Sequence, residues 1–199
     1  MGLQGILIDS RYAIGSAHGR FQPLHLGHVE YLLGAKQRCR FLWVGITQYT
    51  TSSLKVTPED PHRARPENNP LSYYERASIL REALIDARLD AADFAIGPFP
   101  IEEPALLHDY LDPSVPVFTT VYDEWNLRKI EVLRSQGYSV VTLWEREVKE
   151  YSGVQVRKAI IDGDDSWRKM VPPATQRAVE KLGLQARLRQ LARRAGDVR

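Results

Sequence analysis

Short apolar segments alternate with amphipathic ones along the chain, and this alternation constrains the fold more than any other feature. Five segments have the length and composition of buried strands: residues 12–17, 41–47, 93–97, 115–121 and 139–143. Five others have helical patterns: residues 26–37, 72–87, 103–111, 124–136 and 152–162. Such alternation is typical of a parallel sheet with crossover helices. It predicts an α/β fold with a doubly wound parallel five-stranded sheet, whose ligands bind beyond the carboxyl ends of the strands.

The chain has 199 residues, the length of one domain. We expect an α/β core at residues 11–165 and a small C-terminal helical appendage at 166–199. The polar segment 48–69 interrupts the core and carries three prolines. So long a segment without a helical or strand pattern is either a functional lid or disordered.

Composition excludes several classes of protein. The net charge is only +2, and no single element interleaves exposed aromatic and basic residues, so we expect no nucleic-acid partner. Cys39 is the only cysteine, which excludes an internal disulfide and a cysteine-cluster metal site. No apolar run reaches 18 residues, so we expect no membrane association and a cytoplasmic location.

The first candidate strand leads into a loop and the start of a helix with the sequence Gly-Arg-Phe-Gln-Pro-Leu-His-Leu-Gly-His, residues 19–28. A helix start attracts phosphate through its free N–H groups and the positive end of its dipole. His25 and His28 lie on one face of that helix and can donate hydrogen bonds to phosphate oxygens, and Arg20 adds a fixed positive charge. Gly19 lets the loop approach a ligand, and Gly27 leaves room for one.

A second motif follows the last candidate strand, with the sequence Tyr-Ser-Gly-Val-Gln-Val-Arg-Lys, residues 151–158. Ser152 is a suitable N-cap, and Arg157 lies one and a half turns into the helix. Because this helix start would face the first one across the point where the strand order reverses, the two motifs predict a polyphosphate site between two positive helix ends.

These motifs resemble those of the nucleotidyltransferases that bear the His-x-Gly-His signature, most closely the archaeal-type nicotinamide mononucleotide adenylyltransferases. Further matches occur at residues 69–72 with Glu75 and Arg76, at 121–122, at 137–140 and at 162–168, so the resemblance extends over about residues 14–182. It implies a Rossmann-like fold. It also implies an enzyme that transfers a nucleoside monophosphate from a nucleoside triphosphate to a small acidic, phosphate- or phosphonate-bearing acceptor and releases pyrophosphate.

The resemblance implies roles for particular residues. His25 and His28 would stabilise the triphosphate as pyrophosphate leaves, Arg157 would hold the β- and γ-phosphates, and Arg20 would bridge the acceptor and the triphosphate. Nucleotide binding is expected at Gly19, Phe21, Pro23, Gly27, Tyr122, Asp123, Tyr151, Ser152, Gly153, Val154 and Lys158. Mg²⁺ would arrive with the triphosphate, since no acidic cluster in the sequence forms a dedicated site.

The expected acceptor site differs from that of the archaeal enzymes. They carry a tryptophan that stacks on nicotinamide and an asparagine within the segment that aligns with residues 101–111. There this chain has Pro104 and Leu107, and a leucine cannot stack on a cationic ring. Their arginine before an Asp-Pro pair is here Asn68. The candidate acceptor-binding residues are Arg63, Arg65, Arg76 and Leu107.

Three functions therefore remain open. We place a nicotinamide mononucleotide adenylyltransferase first and a CTP-dependent cytidylyltransferase of a small phosphonate, such as phosphonoformate, second. The third is a nucleotide-sensing protein that has lost turnover. The sequence leaves the base, the acceptor and the oligomeric state undecided, although many relatives form oligomers.

Overall fold

The computed structural model describes residues 11–52, 54–56 and 64–196. Within them the sheet has five strands, whose bounds are Tyr12–Gly19 (β1), Cys39–Ile46 (β2), Phe94–Pro98 (β3), Val117–Val121 (β4) and Val140–Glu145 (β5). Every pairing is parallel, and the spatial order is β3-β2-β1-β4-β5. The prediction of a doubly wound, Rossmann-like five-stranded sheet is confirmed. The strand order reverses between β1 and β4, where a doubly wound sheet opens a crevice for ligands.

Six α-helices surround the sheet in the described residues: Leu26–Lys36 (α1), Tyr73–Asp86 (α2), Glu124–Ser135 (α3), Gly153–Asp162 (α4), Pro173–Lys181 (α5) and Leu184–Gly196 (α6). Short 3₁₀ turns occur at Pro66–Asn68, Pro104–Asp109 and Asp165–Lys169. Four of the five predicted helices are present with bounds that differ by a residue or so.

The fifth predicted helix, at residues 103–111, is wrong in type. The segment is a 3₁₀ turn, in which Leu106 N–H donates to the Glu103 carbonyl at 2.9 Å and Tyr110 N–H to the Leu107 carbonyl at 3.0 Å. Apolar residues three or four apart indicate that a segment has a buried face. Over so short a segment they do not distinguish the two helical pitches.

In the described part of the chain the core consists of two clusters, one on each face of the sheet. Along β2, Leu42 and Val44 belong to the larger cluster, whereas Trp43 packs against the smaller one. The larger cluster holds the buried apolar residues of α1, α2, α4, α5 and α6, and the smaller one holds Leu107 from the 3₁₀ turn and Leu133 from α3. Helices therefore cover both faces and leave the carboxyl ends of β1 and β4 accessible.

The C-terminal helices pack into the larger cluster. Val179 of α5 and Leu188 of α6 are buried in it beside residues of the sheet. The Thr175 hydroxyl donates to the Leu24 carbonyl at 3.0 Å, just before α1 begins. The C-terminal region therefore supports the loop that leads from β1 to α1.

Only part of the segment at residues 48–69 is described, because residues 53 and 57–63 lie outside the described ranges. Its start is a loop that Gln48 closes: the Gln48 side chain accepts from Lys55 N–H at 3.0 Å and donates to the Lys55 carbonyl at 2.6 Å. Whether the segment acts as a lid remains a prediction.

Candidate active site

A cleft of about 680 Å³ opens at the carboxyl ends of β1 and β4. Both sequence motifs contribute to its lining, and so do Arg20, His25, His28 and Arg157. The other predicted nucleotide-binding residues that line it are Gly19, Phe21, Gly27, Tyr122, Tyr151, Ser152, Gly153 and Val154. The fold therefore brings the two helix starts to one cavity, as the sequence predicted.

His25 and His28 are linked by reciprocal hydrogen bonds at the start of α1. His25 is the N-cap, and its Nδ1 accepts from His28 N–H at 3.3 Å, while His28 Nδ1 accepts from His25 N–H at 3.3 Å. The rings stack with their centroids 3.6 Å apart. In a neutral imidazole one nitrogen accepts and the other carries the proton, so both rings present an Nε2–H donor.

The surroundings of these rings favour the neutral form. Burial, with the nearby charges of Lys149 and Arg157, lowers the pKa of His25 to about 4. Burial lowers the pKa of His28 well below its usual value, helped by His25, Arg20 and Lys149. Near neutral pH the pair therefore acts as uncharged hydrogen-bond donors within a cationic cleft.

The loop between β1 and α1 is shaped by close packing. Phe21 adopts a positive φ of 52° and is buried, with its ring edge against His28 at a centroid distance of 5.0 Å. A Cβ at Gly19 would lie 2.8 Å from the Phe21 ring, so this position requires glycine. Gln22 fixes the loop to the start of α2, because its side chain accepts from Leu71 N–H and donates to the Leu71 carbonyl.

The second motif packs directly on this loop. Ser152 caps α4, and its hydroxyl accepts from Gln155 N–H at 3.3 Å, as predicted. Arg157 is buried, with Nη1 donating to the Gln22 carbonyl at 2.6 Å and Nη2 donating to Asn68 Oδ1 at 2.6 Å. Burial lowers the pKa of Arg157 to about 10, so the guanidinium keeps its charge at neutral pH. Both motifs are held in one geometry by this arginine.

Among the described residues that line the cleft, five are basic and two are acidic: Arg20, Lys129, Arg146, Lys149 and Arg157, against Glu30 and Glu150. Lys129, Arg146 and Lys149 were not identified from the sequence. Lys149 pairs with Asp123 at 2.8 Å, and its ammonium lies 5.3 Å from the centre of the Tyr122 ring. Arg146 pairs with Glu30 at 2.7 Å. These residues belong to no motif, and only the fold brings them to the cleft. The excess of positive charge suits an anionic ligand.

Three predicted nucleotide-binding residues do not line the cleft. Pro23 is buried within the loop between β1 and α1. Asp123 caps α3 by accepting from Asn126 N–H at 3.0 Å. Lys158 is exposed on α4 and pairs with Asp162. Asp123 still contacts the cleft lining through its ion pair with Lys149.

The predicted acceptor-binding residues that the structure describes also lie outside the cleft lining. Arg76 is buried, and its guanidinium donates to the carbonyls of Arg20, Thr47 and Gln48 at 2.8–3.0 Å, so it supports the loop from behind. Leu107 is fully buried in the smaller core cluster, and Arg65 lies outside the cleft lining. Arg63 is outside the described residues. Arg76 and Leu107 thus occupy buried positions outside the cleft lining, and acceptor binding by the four residues stays a prediction.

Two negative findings apply to residues 11–52, 54–56 and 64–196. Within these ranges no group of three or more His, Cys, Asp or Glu side chains could hold a metal ion. No helix among the described residues is long and apolar enough to cross a membrane.

The sequence matches the family model described as Cytidylyltransferase-like over residues 16–195. It is 41% identical to the phosphonoformate cytidylyltransferase of Streptomyces viridochromogenes over 175 residues, which cover 88% of this chain and 95% of that protein. It is 30% identical to the nicotinamide-nucleotide adenylyltransferase of Methanothrix thermoacetophila over 179 residues, covering 88% of this chain and 94% of that one.

The fold is also similar to that of a bifunctional NMN adenylyltransferase/ADP ribose pyrophosphatase from Francisella tularensis, with a TM-score of 0.63 and 17% identity. The match covers 94% of this chain and 54% of that chain, so this chain spans about half the length of the solved one. At this identity the similarity concerns the fold.

Proposed function

The chain belongs to the cytidylyltransferase-like family, and we propose that it transfers a cytidylyl group from CTP to a small phosphonate of the phosphonoformate type and releases pyrophosphate. That the chain is a nucleotidyltransferase, as its sequence predicted, is established by the family and by its relatives. The base, the acceptor and the roles of individual residues belong to the proposal.

One observation carries the chemical part of the proposal: the starts of α1 and α4 border the same cationic cleft. A triphosphate between them would meet the N–H groups and positive dipole ends of two helices. It would also meet the Nε2–H donors of His25 and His28 and the charges of Arg20 and Arg157. Such an array suits the charge that develops when a phosphorus–oxygen bond breaks.

The acceptor part rests on similarity and on the smaller core cluster. Identity is 41% to the phosphonoformate enzyme, against 30% to the adenylyltransferase from Methanothrix thermoacetophila. The 3₁₀ turn Pro104–Asp109, which aligns with the segment that carries a stacking tryptophan in the archaeal enzymes, contributes no residue to the cleft lining. Leu107 instead packs inward beside Phe99. A small acid without an aromatic ring suits such a site.

The proposed step is a direct in-line displacement. A phosphonate oxygen of the acceptor forms a bond to the α-phosphorus, the bond from the α-phosphorus to its β-bridging oxygen breaks, and that electron pair leaves with pyrophosphate. The attacking oxygen is already anionic, so no general base is required. His25 has a pKa of about 4, which makes it a neutral hydrogen-bond donor and a poor acid at pH 7. The work of the residues is to position the reactants and stabilise charge.

A divalent cation, which we propose to be Mg²⁺, would be held by the triphosphate itself, since the described residues offer no group of three ligands. When bound it would neutralise phosphate charge. Two carboxylates in or beside the cleft are already paired with basic side chains: Glu30, which lines it, with Arg146, and Asp123, which lies beside the lining, with Lys149.

A second acceptor is supported by a specific feature. Trp125 lines the cleft, and an indole can stack on a pyridinium ring. With the adenylyltransferase relatives, this keeps nicotinamide mononucleotide and ATP as the alternative pair of substrates.

The test is an activity matrix. The purified protein is incubated with Mg²⁺ and with CTP or ATP, each in the presence of phosphonoformate or nicotinamide mononucleotide, and pyrophosphate release is measured. The proposal expects release with CTP and phosphonoformate. If pyrophosphate is released only in the mixture of ATP and nicotinamide mononucleotide, the alternative pair of substrates replaces the proposed one. If the protein binds a triphosphate but releases pyrophosphate in none of the mixtures, it is a nucleotide sensor.

A further inference from the structure

His18 lies at the carboxyl end of β1, next to the switch point, and lines the cleft. Successive residues of a strand point to opposite faces. Ala17 belongs to the larger core cluster, which α1 covers, so the His18 side chain points to the opposite face, the one that α3 covers. Thr119 of the neighbouring strand β4 and Lys129 of α3 also line this side of the cleft.

The imidazole of His18 is almost completely buried, with 4% of the residue exposed. Its ring stacks on Phe99 in parallel, with centroids 4.3 Å apart and an interplanar angle of 6°. The His18 N–H donates to the Tyr31 hydroxyl at 3.1 Å, and that hydroxyl donates to the Phe118 carbonyl at 2.7 Å. Backbone and ring are thus both fixed, and the ring plane is set by packing.

Neither ring nitrogen of His18 has a hydrogen-bond partner among the described residues. Buried polar groups are nearly always paired in folded proteins, and a buried group left unpaired destabilises the fold. An unpaired imidazole held rigidly at the wall of a cavity therefore suggests a partner that is not part of the chain. Burial and the charge of Lys129 lower the pKa of His18, so the free ring offers one N–H donor and one acceptor.

We propose that the His18 imidazole binds an acidic group of the acceptor substrate, on the side of the cleft opposite the helix starts that hold the triphosphate. The inference rests on the proposed function and adds a residue that determines which acceptor binds. An acidic group is favoured over an uncharged base because the charge of Lys129 reaches this position. The carboxylate of phosphonoformate, or the second charge of another small acid, fits a fixed N–H donor beside a cation.

A ligand-binding role and a structural role for His18 predict different melting temperatures for its variants. If His18 supported the fold, its replacement would lower the melting temperature. If His18 instead binds the ligand, His18→Leu removes two unpaired buried nitrogens and fills similar space against Phe99. The melting temperature of the variant should then equal or exceed that of the wild type. The matched control is Ser16→Ala, because Ser16 lies two residues earlier on the same face of β1. Its hydroxyl is also buried without a partner among the described residues, but it does not line the cleft.

The experiment measures the KM for acceptor and for triphosphate, with whichever pair of substrates the wild-type protein turns over, together with melting temperatures. For His18→Leu we expect the acceptor KM to rise about 10- to 100-fold, the loss of one hydrogen bond to a charged group. The triphosphate KM should stay within about twofold, since its donors are untouched. His18→Gln, which keeps a donor and an acceptor, should recover part of the loss, and Ser16→Ala should behave as wild type.

An active His18→Leu variant with an unchanged acceptor KM would overturn the inference and leave the proposed function intact. A raised triphosphate KM with an unchanged acceptor KM would assign His18 to the nucleoside and also overturn it. A wild-type protein that releases no pyrophosphate with any pair of substrates would remove the proposed function, and this inference with it.

Discussion

At the scale of single residues, the proposed site contains two neutral imidazoles, each of which accepts through one ring nitrogen and can donate from the other. His25 and His28 each use Nδ1 to accept a backbone N–H, which leaves Nε2–H for a ligand. We expect His28→Ala to lower kcat by roughly 10²–10³, as removal of one donor to a developing charge does in other enzymes. Steady-state pyrophosphate release measures the effect.

His108→Ala is the matched control for that variant. His108 is a histidine outside the cleft, where its ring contacts the Gln136 carbonyl at 2.8 Å. The control should keep the wild-type kcat. Equal rates for His28→Ala and wild type would remove His28 from the mechanism.

The buried histidines also predict how stability changes with pH. In the unfolded chain His25 takes up a proton as the pH falls through 6.5, whereas in the folded protein it does so only near pH 4. Between these values the unfolded state binds more protons, so the free energy of unfolding falls as the pH falls. His18 and His28, whose pKa values are also lowered, act in the same direction. Urea unfolding at several pH values from 7 to 4 measures the slope.

A substitution isolates the part of the slope that belongs to His25. His25→Asn retains an N-cap side chain and removes the titrating ring, so its stability should decline less steeply over the same pH window. Parallel curves for the variant and the wild type would show that His25 does not carry the effect.

At the scale of elements, two helix starts with the same kind of cap allow stability and function to be separated. Ser72 caps α2 and Ser152 caps α4, each by accepting an N–H three residues on. Replacing either serine by alanine should cost about 1 kcal/mol of unfolding free energy. Only Ser152 lines the cleft, so only Ser152→Ala should also raise the triphosphate KM. Equal KM changes in both variants would mean that the effect is one of stability alone.

Helix caps and buried strands can be predicted from the sequence, whereas the type of a short helical turn cannot. The caps Ser72 and Ser152 follow from local chemistry, because a cap and its N–H partner are three residues apart. The strands follow from apolar runs, since a buried strand must be apolar whichever neighbours it has. The turn at residues 103–111 is too short for periodicity to define its pitch.

The cleft residues that were missed share a different property. Lys149 and His18 reach the site only because β1, β4 and the segment after β5 end at the same edge of the sheet. Arg76 shows the converse: a basic residue near a motif suggests a ligand, whereas here the guanidinium donates to three backbone carbonyls. Partners distant in sequence depend on topology, which residue type and spacing do not determine.

At the scale of the whole molecule, the C-terminal helices and the sheet share one core. Leu188 of α6 is fully buried in the larger cluster, and Arg187 joins α6 to the start of α2 by donating to the Pro70 carbonyl at 3.0 Å and pairing with Glu75 at 2.8 Å. The loop that carries His25 is hydrogen-bonded to α5 through the Thr175 hydroxyl. We therefore expect the sheet and the helices to unfold together.

Leu188→Ala tests this expectation against the alternative that α6 is a separate appendage. Removing a fully buried leucine should lower the free energy of unfolding by about 2–5 kcal/mol. Leu127→Ala on α3, where the leucine is 49% exposed, is the matched control and should change it by no more than about 0.5 kcal/mol. Because the core is shared, activity, the near-ultraviolet circular dichroism and the helical circular dichroism signal should all be lost in one unfolding transition. In Leu188→Ala that single transition should occur at a lower denaturant concentration. If only the helical signal shifted while activity kept its wild-type midpoint, α6 would unfold independently, and the C-terminal helices would not support the active-site loop.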